Sequence, residues 1–335
     1  MKRFVIKTLT LSLPIIVGIG YFYYSFWNKK GELRDLSRLG MFLVDFNYQY
    51  CIDTLSINFI HEIEYDTIIH FDSCCIITIG DSFSQQGVAG YQNYLSIYMP
   101  NIDIGNLQQT SISPEQMFIQ IALTNKCPKI VVIESVERYF IDRLNNLQFT
   151  ELNESSIKKV TSNSVEKTFL GWTREFYKKR LNIDNPVSKA QLSHSMFSCK
   201  DNEKTLYFIN GGESGTDIHQ HSKEEIKIAQ LKLDSLYAFA LQYGIELYYM
   251  VAVDKYDLYQ DYIINNSYPR QETLDKFDQK FHNNPYWINT KHILKPYIEQ
   301  GELDMYYCDD THWSTKSAKV IAEEIAKRIY SDHSN

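Results

Sequence analysis

A serine, a histidine and an aspartate are the residues of this sequence best disposed to do chemistry. Ser82 stands in Gly80-Asp81-Ser82-Phe83-Ser84, directly after the apolar run Ser73–Ile79. His312 stands in Asp310-Thr311-His312-Trp313, close to the other end of the chain. A serine hydroxyl is a weak nucleophile until a base removes its proton. An imidazole can be that base, and a carboxylate beside it fixes the tautomer and stabilises the imidazolium. Asp310 precedes His312 by two residues and Asp309 by three, so either acid can reach the ring within one loop. The chemistry these types allow is acyl transfer through a serine ester. Each motif alone has a plainer reading, in which Ser82 and Asp310 only cap the helices that follow. Together they supply nucleophile, base and orienting acid.

The elements around them must bring the two motifs to one place. Ser73–Ile79 is short, apolar and rich in β-branched residues, as a buried parallel strand requires. Gly80 permits a tight turn after it. A serine there, at the carboxyl end of a strand and the start of a helix, lies near backbone N–H groups able to hold an oxyanion. A helical stretch to about Tyr98 follows, then a second strand at Ile102–Gly105. Ser113-Pro114-Glu115-Gln116 opens a helix, with Ser113 as its cap and Pro114 in its first position. Lys129–Glu134 is a third strand. Lys223–Tyr243 reads as a helix ended by Gly244, and Ile245–Val253 as a fourth strand. The region Asn284–Gln300 reads as mostly a connecting helix and Met305–Tyr307 as a short extended piece. Lys316–Tyr330 is a closing amphipathic helix. The β-α-β-α-β order predicts an α/β fold, a parallel sheet with helices on both faces.

Weaker signals surround the two motifs. Glu134, Glu137 and Arg138 follow the third strand at its ligand-facing end, as a pocket-shaping ion pair or an ordinary helix start. Trp313 can wall an acyl pocket, stack on a sugar, or fill the core. His219 and His221 flank Gln220 but lack the Cys or carboxylate spacing of a metal site, so a surface loop is expected there and neither metal nor cofactor. The spacing of the six Cys gives no disulfide framework and no C-x-x-C pair and leaves open whether any two are bonded; Cys74 and Cys75 point to opposite faces of a strand.

Composition bounds the rest. With 335 residues the chain has room for one or two domains. The 22% charged and 44% apolar residues describe a folding chain. Net charge is −7, from 34 Lys+Arg against 41 Asp+Glu, which argues against a nucleic-acid partner. Thr8 to Asn28 carries no charge, and at about 1.5 Å per residue it can cross the ~30 Å core of a bilayer. Lys2, Arg3 and Lys7 precede it, and Tyr21, Tyr23, Tyr24 and Trp27 gather at its far end as an aromatic belt would. Residues 1–30 therefore read as a short cytoplasmic tail and transmembrane helix, with a cleaved signal peptide as the alternative. The bulk of the chain is then periplasmic or extracellular. Residues 31–70 read as a linker segment, and 71–335 as the main domain, with a polar insertion or cap at about 141–220.

The Gly80-Asp81-Ser82-Phe83 motif after the first strand and Asp310-Thr311-His312 near the C-terminus resemble the SGNH/GDSL hydrolase superfamily. The Asp310-Thr311-His312-Trp313 form more specifically resembles the SGNH-like domains of alginate O-acetylation proteins. Three stretches add to the likeness: Asn106 with Ser113–Gln116, Val131–Glu134 with Glu137-Arg138, and Val253–Tyr256 with Tyr259. The resemblance spans roughly residues 71–330 in blocks. It implies a three-layer α/β/α, flavodoxin-like fold, with Ser82 as nucleophile, His312 as base and Asp310 as its partner. It also implies ester chemistry on acetyl groups of a carbohydrate, as esterase or O-acetyltransferase, with a membrane protein as possible acetyl donor. The superfamily's D-x-x-H spacing would select Asp309 instead. Its oxyanion Gly and Asn have no clear counterpart in Asn106–Ser111, so Ser111, Asn106, Arg138 and the Ser82 N–H are the candidate donors. That gap motivates a second reading, a glycan-binding or assembly subunit with a degraded site.

Overall fold

The structure, a computed structural model, describes residues 12–18, 20–21, 59–63, 75–124, 128–152, 157, 187–199, 202–211 and 216–333. Its centre is a six-stranded parallel sheet: β1 (His61–Ile63), β2 (Ile76–Gly80), β3 (Ile104–Leu107), β4 (Ile130–Val136), β7 (Glu246–Ala252) and β8 (Trp287–Asn289). The strands lie in the order β1-β3-β2-β4-β7-β8, every neighbour parallel. All residues of β2, β3 and β4 are buried. This is why β2 and the first half of β4 are near-continuous apolar runs rather than alternating ones.

The chain leaves β2 by α1 (Tyr91–Tyr98) to reach β3 on one side, then returns by α2 (Pro114–Leu123) to β4 on the other. Such a reversal puts the two crossovers on opposite faces and opens a crevice at the carboxyl end of the central strand. The last residue of β2 is Gly80, so the reversal delivers Asp81 and Ser82 to that crevice. On one face α1 packs on α8 (Thr315–His333), with α7 (Thr290–Glu299) beside α8. On the other, α3 (Glu137–Asn145) and α6 (Thr273–Phe281) pack on α4 (Lys223–Gln242), and α2 lies on β2 and β4. The flanked parallel sheet is the α/β architecture expected.

Local chemistry fixes the helix ends. The Ser113 side chain accepts from the Gln116 N–H, with Pro114 in the first turn. Ser222 and Glu225 form a reciprocal capping box at the start of α4, and Gly244 after its end adopts a φ of +69°. Outside the main sheet, β5 (Val187–Gln191) and β6 (Thr205–Ile209) form an antiparallel hairpin within the expected insertion.

Several expectations need correction. The stretch Asn284–Gln300 holds the edge strand β8 before its helix. In Met305–Tyr307 only a single bridge forms, between Tyr306 and Trp313. The expected membrane segment lies mostly outside the described residues. Within it, residues 12–18 and 20–21 are helical, and no helix among the described residues is long and apolar enough to cross a membrane.

Candidate active site

Ser82 opens a 3-10 turn, Ser82–Ser84, immediately after β2, and its side chain is exposed. The turn is anchored from below. The Asp81 N–H donates to Glu134 Oε2 at 2.8 Å, and the Ser84 hydroxyl donates to the same oxygen at 3.0 Å. Burial, and then the charge of Asp81, hold the Glu134 carboxyl well above the usual carboxylate range. Asp81 itself is clamped by Arg143 of α3, whose two terminal nitrogens donate to its two oxygens at 2.6 and 2.7 Å; the Val136 N–H adds a third bond at 2.9 Å. The space beneath is closed: a Cβ on Gly80 would lie 2.1 Å from Ser84 Oγ and 2.6 Å from Glu134 Oε2. Glycine is required there for close approach, with no positive φ involved.

His312 meets Ser82 across the crevice. Its Nε2 lies 2.7 Å from Ser82 Oγ, and its Nδ1 lies 2.6 Å from Asp310 Oδ1. A carboxylate at Nδ1 calls for the Nδ1–H tautomer, which leaves Nε2 as the acceptor facing the serine hydroxyl. Of the two neighbouring acids it is Asp310 that meets the ring. The same Oδ1 also accepts the His312 backbone N–H at 3.0 Å, so the carboxylate and the imidazole are locked in one turn.

The loop carrying them is built around a lysine of the stretch Val253–Tyr256, to which the sequence reading gave no role of its own. Lys255, fully buried at the start of α5 (Lys255–Tyr259), donates from Nζ to the carbonyls of Tyr307, Cys308 and Asp310 at 2.6, 2.9 and 3.0 Å. Its forewarning was its place in Val253–Tyr256, just after an apolar strand; nothing local announced the three carbonyls it binds. Tyr259 of the same helix accepts the Tyr306 N–H at 3.3 Å, and the Ser314 N–H returns to the Met305 carbonyl at 3.0 Å. Phe83 braces the imidazole from the other motif, its ring 4.7 Å from that of His312 and 4.5 Å from that of Trp313.

The structure distributes the other candidate residues unevenly. Ser111 lines a cavity of about 260 Å³ at the carboxyl ends of β2 and β3, together with Asp81, Gln109, Thr110 and Arg143. Asn106 is buried in β3 and donates its two amide hydrogens to Glu62 Oε2 at 3.2 Å and the Ser84 carbonyl at 3.0 Å. It ties strand to turn rather than facing the serine. Trp313 is fully buried against Phe83 and Tyr91 and belongs to the core. Arg138 pairs with Asp217 at 3.1 Å and Asp254 at 2.6 Å, within a buried charge network. His219, expected on a surface loop, joins that network, its Nε2 3.5 Å from Asp254 and 3.8 Å from Glu137. One ligand atom each from Glu137, His219 and Asp254 lies within 4.8 Å of the others, with the guanidinium of Arg138 already on Asp254.

A parallel α/β sheet with serine, imidazole and carboxylate in hydrogen-bonded line at its carboxyl edge is the arrangement used by serine hydrolases. Residues 216–335 match the family model for the SGNH hydrolase-like domain of the acetyltransferase AlgX. The resemblance to SGNH-like acetylation domains therefore holds over that stretch, which contains Lys255, Asp310 and His312 and stops short of Ser82. No curated protein and no solved structure matches the chain.

Proposed function

We propose that this protein is a serine esterase or O-acetyltransferase that moves acetyl groups on exported or cell-envelope carbohydrate. The observation that carries the reading is the hydrogen-bonded line from Ser82 through His312 to Asp310. His312 Nε2 takes the hydroxyl proton as Ser82 Oγ attacks the acyl carbonyl. Asp310 steadies the imidazolium. The proton then passes to the departing alcohol, which leaves an acetyl-serine. Water or a sugar hydroxyl, activated by the same imidazole, resolves that ester. The first N–H groups of a 3-10 turn have no partner inside it, so the Ser82 N–H is one donor for the oxyanion. Ser111 and its neighbours, on the cavity beside Asp81, are the second source. That cavity of about 260 Å³ is lined by Asp81 and Ser111 and not by Ser82 or His312, so it adjoins the serine rather than enclosing it.

The partners belong to the same proposal. Carbohydrate is the acceptor, and a membrane protein passes the acetyl group outward. The N-terminal segment anchors the chain in that membrane, with the catalytic domain outside it. Support comes from the apolar run at Thr8–Asn28 and from the exposed side chains of Leu13, Ile15, Ile16 and Val17 on the helical residues 12–18. The second reading, a binding or assembly subunit, is favoured by one observation: Asn106 has both amide hydrogens engaged elsewhere.

Hydrolysis of p-nitrophenyl acetate by the full chain separates the two. The expected result is turnover in the parent and none above background in Ser82→Ala or His312→Ala. Equal rates in all three proteins favour the binding subunit.

A further inference from the structure

We propose that Cys199 and Cys308 are joined by a disulfide that staples the β5–β6 arm to the loop bearing Asp310 and His312. Both are free thiols in the structure, buried at 1% and 0% exposure, and the hydrogen bond to Cys308, with burial, pushes the Cys199 thiol well above its usual range. Cys199 lies in the connection between β5 and β6, and Cys308 lies two residues before Asp310. The backbones that carry them are already docked. The Asp304 N–H donates to the Met196 carbonyl at 3.0 Å, and the Ser198 N–H donates to Asp304 Oδ1 at 2.9 Å. Phe197 sits between them, its ring 5.1 Å from Lys255 Nζ and 5.4 Å from the Tyr259 ring. Lys255 is the same residue that holds the Cys308 carbonyl.

Two buried thiols can act as small apolar residues. Here they hydrogen-bond across segments far apart in sequence whose backbones are fixed by bonds on either side, and a disulfide requires their Cα atoms to stand within about 7 Å of each other. Closing so long a loop restricts the unfolded chain strongly. It also pins the second anchor of the catalytic loop, beside the lysine. In the reaction the two thiols lose two protons and two electrons and one S–S bond forms. The oxidant is itself a disulfide, of glutathione or of a dithiol oxidase. Its S–S bond breaks and it leaves as two thiols. An exported location supplies such an oxidant, but the bond can be tested without assuming one.

The full chain, in detergent, is incubated with glutathione disulfide at low denaturant, so that the loop can open. Remaining thiols are then blocked with N-ethylmaleimide under denaturing conditions, and unreduced peptides are mapped by mass. The expected result is a cross-linked species joining the Cys199 and Cys308 peptides, two hydrogens lighter than their sum and lost on adding dithiothreitol. Maleimide on both residues, or either one joined to a different cysteine, overturns the proposal. Reduction is further expected to lower the thermal midpoint of the oxidised parent by several degrees and to leave Cys308→Ser unmoved. An equal shift in both counts against it. The peptide map reads no acyl chemistry, so it stands or falls apart from the role given to Ser82.

Discussion

Asp310 Oδ1 accepts two hydrogens from one residue, the backbone N–H and the Nδ1–H of His312. The base is thereby held in a single tautomer and a single orientation. Asp310→Asn is expected to keep the fold and lower kcat by about 10⁴, because an amide can donate to Nδ1 and favour the wrong tautomer. Asp309→Asn is expected to stay within a few-fold of the parent; matched losses in the two variants would assign the acid wrongly. Ester hydrolysis under saturating substrate reads both. The sequence leaves these acids unresolved, since offsets of two and three residues both fit one loop until the backbone turn is known. Asn106 and Arg138 lie near the right strand ends in sequence. What turns them away is their partners, Glu62 and the Ser84 carbonyl for one and Asp217 and Asp254 for the other, and no local pattern announces those.

Two elements carry the motifs, and each has one residue that fixes it. The turn after β2 rests on Glu134, and Gly80 leaves room for that contact. Gly80→Ala is expected to cost about 1–3 kcal/mol in urea unfolding, as overpacking does. A variant as stable as the parent would mean the turn can shift freely. The loop before α8 closes around Lys255. Lys255→Met removes a charged donor from three carbonyls, and a loss of about 3 kcal/mol is expected. A slower reaction of Ser82 with acyl esters should accompany it in the fraction that remains folded. Unchanged stability and rate would show that Tyr259 and the Tyr306–Trp313 bridge hold the loop alone. The strand before Ser82 was legible because an apolar β-branched run announces itself. The lysine was not, because burying a charge depends on carbonyls far along the chain.

The whole molecule places Ser82 and His312 where the sheet order reverses, and it also buries a set of charges. Asp217, ordinarily near 3.8, is pushed up to about 7, chiefly by burial and despite Arg138. Burial likewise raises Asp257 to about 6. An acid with a raised pKa in the folded state holds its proton more tightly there than when unfolded. Its contribution is therefore complete below about pH 4 and is lost as the pH climbs towards 7. The stability of the parent relative to Asp217→Asn is expected to fall across that window, read as urea midpoints at pH 4, 5.5 and 7. A constant difference would show that Arg138 keeps Asp217 ionised throughout. At this scale the alternation of strands and helices was readable, and with it the position of Ser82 at a strand end. The three-residue strands β1 and β8 and the β5–β6 hairpin were not, since short or polar strands form through partners rather than through their own pattern. The central claim is that the Ser82 hydroxyl is activated by His312 in the folded protein. Labelling with a fluorophosphonate, followed by peptide mass mapping, tests it most directly. The account expects one phosphonyl adduct on the peptide containing Ser82, absent after unfolding and absent in His312→Ala. A folded parent with no adduct on Ser82, or equal labelling in His312→Ala, would contradict it.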